Sequence, residues 1–159
     1  RPTNLKAICL NDLVIDCARF MGPEARRQDI QLTSDLARDL PRVLADETKL
    51  RQILINIIIN AIQAMPSGGT IQLSTVQADE GAVAVRVRDT GPGIPAEQLE
   101  QIFRPFTTSK EDGTGLGLAI CARLVKQMKG TISVDSSPGD GACFVVRLGI
   151  DPGTTDRCR

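Results

Sequence analysis

The chain of 159 residues contains no histidine, no tryptophan and no tyrosine, and only four phenylalanines. Lacking an imidazole, it cannot run a mechanism in which its own histidine serves as base or nucleophile. So few aromatics argue against a base-stacking platform for nucleic acid. Lys and Arg number 19 and so do Asp and Glu, so no net field draws the chain to nucleic acid or an anionic membrane. Long hydrophobic runs are missing too. The longest, 53–62, is interrupted by Asn56 and Asn60 and falls far short of the ~20 residues of a membrane span. Neither nucleic acid nor direct membrane contact is expected.

The five cysteines (Cys9, Cys17, Cys121, Cys143, Cys158) are odd in number and include no C-x-x-C pair. Without histidine they do not form a zinc set. A reduced, cytoplasmic setting is the expectation, with Cys121 and Cys143 acting as small core hydrophobes. The chain opens on Arg1 without a signal-peptide pattern, which reads as a piece of a longer protein. Its length suits one domain burying roughly 70% of its unfolded surface.

Periodicity predicts a short strand, then a helix over about 12–27 that starts from an Asn11-Asp12 cap and is kinked or split near Pro23. A strand around Ile30 and Leu32 follows, ended at Leu40-Pro41. Asp46 is a good N-cap for a long helix over 47–65, stopped by Met65-Pro66 and Ser67-Gly68-Gly69. Alternation over 70–76 and 82–88 predicts a hairpin, and 91–106 reads as loop with one short helix after Pro95. A helix over 114–128 ends at Lys129-Gly130. Strands over 131–136 and 142–148 flank the turn Pro138-Gly139-Asp140-Gly141. The polar stretch 151–159 reads as disordered or a linker. The order fits an α/β two-layer sandwich, a mixed β-sheet packed on about three helices.

Three stretches carry chemistry. Asp112 to Leu118 reads D-G-T-G-L-G-L ahead of an amphipathic helix, and such a turn offers free N–H groups and a positive dipole end to phosphate. On the long helix, Lys49, Gln52, Asn56, Asn60 and Gln63 fall on one stripe. An Asn carbonyl suits Mg²⁺, or the two amides simply bond neighbouring backbone; the helix alone favours neither. In Asp89-Thr90-Gly91-Pro92-Gly93-Ile94 a carboxylate ends a strand before glycines that permit a sharp turn. It can accept an adenine amino group, or it merely closes a turn. Between these motifs, Phe103 and Phe106 are placed to anchor a loop, and Lys110 to reach a terminal phosphate.

As a set, the Asn pair, D-T-G-P-G-I, F-x-P-F…K and G-T-G-L-G-L resemble the catalytic domain of two-component sensor histidine kinases. Those kinases belong to an ATPase superfamily shared with gyrase, MutL and a heat-shock chaperone. The resemblance covers about 1–149, leaving 150–159 as a polar tail or linker, and implies a Bergerat-type fold. It implies that Asn60 is the Mg²⁺ ligand, Asn56 its catalytic partner, and Lys110 the lid lysine near the γ-phosphate. It further implies that Asp89, Gly91, Gly93 and Ile94 hold adenine. Gly113, Thr114, Gly115, Leu116 and Gly117 would cradle phosphate under a short lid, 106–114, similar to the nitrogen-regulation type. Some positions depart from the family pattern: Gln63 where many relatives are basic, Ser109 within the lid motif, and Ala142-Cys143 where Thr is frequent.

The hydrolytic members carry a Glu where Asn56 stands, and a neutral amide cannot take a proton. The resemblance therefore implies positioning of Mg·ATP and transfer of its γ-phosphoryl group. The acceptor would be a histidine on a separate helical hairpin domain, with a response regulator downstream. The rival readings are a hydrolytic clamp ATPase, an anti-sigma-type serine kinase, and a nucleotide-binding interaction module without catalysis.

Overall fold

The computed structural model describes residues 2–106 and 117–158. A short strand β1 (Lys6–Ile8) leads into helix α1 (Leu10–Arg27). The strands β2 (Ile30–Asp35), β3 (Leu40–Pro41) and β4 (Val43–Ala45) then precede helix α2 (Glu47–Gln63). The hairpin β5 (Gly69–Asp79) and β6 (Ala82–Asp89) follows, then a single turn α3 (Ala96–Leu99). Helix α4 (Gly117–Gln127), β7 (Thr131–Ser136), β8 (Ala142–Gly149) and β9 (Arg157–Cys158) complete the described chain.

One five-stranded sheet, ordered β2-β5-β6-β8-β7, organises the domain. The β2–β5 pair is parallel and the other three pairs are antiparallel, so the sheet is mixed. Alternation places Leu73, Val87 and Phe144 in one buried cross-strand row, and Val85 beside Val146 in the next. Leu50, Ile53, Leu54, Ile57, Ile58 and Ala61 of α2 join Leu13, Val14 and Cys17 of α1 and Leu124 and Val125 of α4 in the core with that sheet. This is the predicted two-layer arrangement, with three substantial helices. Burying one such Leu or Ile side chain stabilises by about 1.5–3 kcal/mol, which is why α2 forms although it carries two asparagines.

Differences from the sequence-based expectation have local causes. Helix α1 begins at Leu10, because Asn11 is buried and its amide is used inside rather than as a cap. The Asn11 Nδ2 donates to the Ala37 carbonyl at 2.8 Å, and Thr75 Oγ1 donates to Asn11 Oδ1 at 2.7 Å. Thr75 Oγ1 also accepts the Ala37 amide at 3.0 Å. The helix continues through Pro23, whose missing N–H removes one helical bond. Met21, Gly22 and Ala25 are buried on either side of it and hold the segment in place.

Residues read as disordered or a linker are tied down instead. The Asp151 amide donates to the Arg42 carbonyl at 2.9 Å, and β9 pairs with β3. Cys158 is disulfide-bonded to Cys9 across a sequence separation of 149, with Cα atoms 5.6 Å apart. That pair departs from the expected fully reduced set, whereas Cys121 and Cys143 are free and buried as expected of core residues, and Cys17 is free and buried with them. Cysteine counting gave no pairing signal, because Cys9 and Cys158 lie at opposite ends of the chain.

Thr75→Val keeps the side-chain shape but leaves Asn11 Oδ1 and the Ala37 amide without this partner. Denaturant unfolding is expected to show a loss of about 1–3 kcal/mol; an unchanged midpoint would show that water replaces the hydroxyl.

Candidate functional site

Asp89 is the last residue of β6 and only 3% exposed. Its row pairs it with Ile71 on one side and Ala142 on the other, so the carboxylate stands at the edge of the apolar core. A buried carboxylate needs donors. Here Oδ1 accepts the Gly91 amide at 2.9 Å and the Ala142 amide at 3.2 Å. The Ala142 position, where a threonine is frequent in the resembling family, thus still makes a polar contact, through its backbone.

The glycine loop closes around this carboxylate. A Cβ on Gly91 would lie 3.0 Å from Asp89 Oδ1 and 3.2 Å from Met65 Cγ. Gly93 has φ of +78°, and a Cβ there would lie 2.2 Å from the Ser137 carbonyl oxygen. Position 93 therefore requires glycine, and at 91 a side chain would press against Asp89 and Met65. The Ile94 amide donates to Ser136 Oγ at 2.9 Å. At the start of the loop, Thr90 Oγ1 accepts the Thr70 amide at 2.9 Å, and the Thr90 amide donates to the Thr70 carbonyl at 3.2 Å. The D-T-G-P-G-I run is a loop packed between the end of α2 and the β7–β8 turn.

Helix α2 starts with Asp46 accepting the Lys49 amide at 3.2 Å. Asn56 and Asn60, both half-buried, follow at four-residue spacing. The Asn56 amide hydrogen-bonds the Cys121 thiol of α4, and that thiol donates to the Ile53 carbonyl at 3.6 Å. The Cys121–Ile53 bond joins α4 to α2 beside Asn56. Burial pushes the Cys121 pKa up to about 12, with the Asn56 hydrogen bond opposing, so this group stays a neutral thiol.

Lys49 leaves the expected polar stripe: it is buried, and its Nζ donates to Thr3 Oγ1 at 2.7 Å and Gln127 Oε1 at 2.8 Å. Phe103 anchors its loop by an edge-on contact with Phe144, ring centroids 6.2 Å apart. Phe106 does not: it is 76% exposed with φ of +63°. Gly117 is the first described residue of α4, and a Cβ there would meet nothing within 4 Å. Lys110, Gly113, Thr114, Gly115 and Leu116 lie outside the described residues. The structure thus brings Asp89, Gly91, Gly93 and Ile94 into one loop, and sets Asn56 and Asn60 on the helix that ends beside it and packs on α4.

Residues 45–152 match the family described as histidine kinase-, DNA gyrase B-, and HSP90-like ATPase. The chain belongs to this family. It is 38% identical over 153 residues to the sensor histidine kinase ZraS of Klebsiella oxytoca, covering 95% of this chain and 33% of ZraS. It therefore spans about a third of the length of that relative. Among solved structures, full-length ShkA in complex with AMPPNP superposes with a TM-score of 0.85 at 34% identity, covering 95% of this chain and 32% of ShkA. The isolated catalytic domain of the histidine kinase ThkA gives 0.84 at 32% identity, covering 94% of this chain and 98% of the ThkA domain. ThkA in complex with the response regulator TrrA gives 0.81 at 28% identity, covering 96% of this chain and 43% of that one.

Within this ATPase family fold, two features escaped the sequence reading. The first residue of β8, Ala142, supplies the second donor to Asp89, and Cys121 bonds the Ile53 carbonyl across to α2. The first depends on the β6–β8 register, which pairs Ala142 with Asp89. No local pattern marked the second.

Asp89→Asn keeps an acceptor for the Gly91 and Ala142 amides. It is expected to weaken binding of a fluorescent adenine nucleotide by ~10–100-fold while the melting temperature stays nearly constant; parallel losses would make Asp89 a turn residue only. Burial also raises the Cys17 pKa, to about 11. A raised thiol pKa contributes stability that is complete below the ordinary value of 9.0 and is lost as pH rises through about 11 for Cys17 and about 12 for Cys121. Unfolding midpoints should accordingly fall above pH 9, and more steeply for the wild type than for Cys17→Ala/Cys121→Ala.

Proposed function

We propose that residues 1–149 are the ATP-binding catalytic domain of a sensor histidine kinase, with 150–159 a polar tail laid against it. In this reading the domain binds Mg·ATP and delivers the γ-phosphoryl group to a histidine on a separate helical hairpin of the same protein, in the cytoplasm. A response regulator would receive it next. The observation that carries the reading is the buried Asp89 carboxylate, framed by the Gly91 and Ala142 amides at the mouth of a glycine loop.

Each residue has a role that its chemistry permits. Asp89 accepts from the exocyclic amino group of adenine. Gly91 and Gly93 keep the loop thin enough for a flat base, and Ile94, half-buried, supplies apolar contact. Asn60 offers an amide carbonyl, a hard oxygen donor of the type Mg²⁺ takes alongside phosphate oxygens and water. Mg²⁺, when bound, neutralises phosphate charge. Gly117, the first described residue of α4, has open space where a Cβ would stand and is assigned to the phosphate side from the sequence motif. Lys110, Gly113, Thr114, Gly115 and Leu116 are assigned to the phosphate side from the sequence motif.

A hydrolytic reading is weaker on a specific ground. The position of a water-activating base is filled by Asn56, a neutral amide that cannot take a proton. Catalysis here is positioning and charge stabilisation.

Calorimetric titration with a non-hydrolysable ATP analogue tests this. Saturable binding strengthened by Mg²⁺ is expected, with the Mg²⁺ effect abolished in Asn60→Ala. Adding the histidine-bearing hairpin and ATP should then give phosphohistidine. No binding by folded protein would refute the nucleotide site, and steady ATP turnover without an acceptor would favour the hydrolytic alternative.

A further inference from the structure

Ser136, the last residue of β7, shares a cross-strand row with Asp89. Ala142 pairs with Asp89 on one side and with Ser136 on the other. Cross-strand partners present side chains to the same sheet face, so the Ser136 hydroxyl stands on the face that carries the Asp89 carboxylate. Its Oγ donates to the Gly141 carbonyl at 2.6 Å and accepts the Ile94 amide at 2.9 Å. One hydroxyl therefore ties the far end of the glycine loop to the β7–β8 turn.

The circuit is closed and tight. Asp89 accepts from Gly91 in the loop and from Ala142 after the turn. The Gly139 amide donates to the Pro92 carbonyl at 2.8 Å, joining the same two segments through backbone. Gly141, at φ of +70°, lies so close that a Cβ there would sit 2.1 Å from the Asp89 carbonyl oxygen. Separating loop and turn would pull apart the two donors that orient the carboxylate.

We propose that Ser136 is a positioning residue that sets purine selectivity, holding loop and turn together so that the Asp89 carboxylate meets an amino group and rejects a carbonyl. This rests on the adenine-nucleotide reading of the site. A carboxylate accepts hydrogen bonds and donates none. Adenine offers it an amino group at the 6-position, and guanine an oxygen. A buried polar group left unpaired makes rejection strong, provided the group cannot turn away. The Ser136 hydroxyl removes that freedom.

The test compares binding of non-hydrolysable ATP and GTP analogues to wild type, Ser136→Ala and Ser136→Thr, with melting followed for each. The wild type should prefer the adenine analogue. Ser136→Ala should lower that preference about tenfold, the worth of one such hydrogen bond, chiefly through weaker adenine binding. Ser136→Thr, which keeps the hydroxyl, should restore it. If Ser136→Ala does not fold, Ser136→Cys, a weaker hydrogen-bonding group of similar shape, should show a smaller loss of preference. Equal weakening of both analogues, an unchanged preference, or no recovery in Ser136→Thr would overturn the proposal. A wild type that binds neither analogue would instead overturn the adenine reading itself.

Discussion

A carboxylate removed from water must be given donors, and at Asp89 the backbone gives two. Much of the site's geometry follows from that requirement. The loop has to turn back within two residues for the Gly91 amide to reach Oδ1, and the β7–β8 turn has to bring the Ala142 amide to the same atom. Both approaches pass too close to neighbouring atoms for a side chain, which is why glycine occupies 93 and 141. An unsatisfied buried carboxylate would cost several kcal/mol, so these two glycines, far apart in sequence, serve one electrostatic need.

The helices supply the other half of the site, and they are joined to one another more than to the loop. Along α2 the apolar face sits in the core, and its Ile53 carbonyl accepts the Cys121 thiol of α4. At its start, Asp46 Oδ2 accepts the Asn4 amide at 2.9 Å and the Asp46 amide contacts Met128 Sδ at 3.3 Å. Lys49 bridges Thr3 and Gln127 nearby. The N-terminal stretch, the start of α2 and the end of α4 thus form one knot at the end of α2 remote from the glycine loop. A rigid platform of this kind suits a domain whose contribution is to hold a nucleotide in place.

What could be read from the sequence was what is local. The Asp46 cap and the Met65-Pro66 stop bounded α2 closely, because capping and proline act within a turn. Alternation located β5, β6, β7 and β8 for the same reason, and the motif glycines pointed to Asp89. The two-residue strands β3 and β9 were not legible, since neither carries a periodic pattern and each exists through the other. Ser136 meets Ile94 from 42 residues away, and Cys121 meets Ile53 from 68. Such contacts are set by sheet register and helix packing. Phe106 looked like an anchor by its spacing from Phe103, but it is exposed, with a positive φ.

If adenine sits against Asp89 between the glycine loop and the β7–β8 turn, the backbone amides around that carboxylate must sense it. Amide NMR during titration with AMPPNP reads them one by one. Saturable shifts are expected to concentrate at the Gly91, Ile94 and Ala142 amides, with little change at Gln72 and Arg86, which are exposed on the sheet. Saturable binding that leaves Gly91, Ile94 and Ala142 unmoved would contradict an adenine site at Asp89.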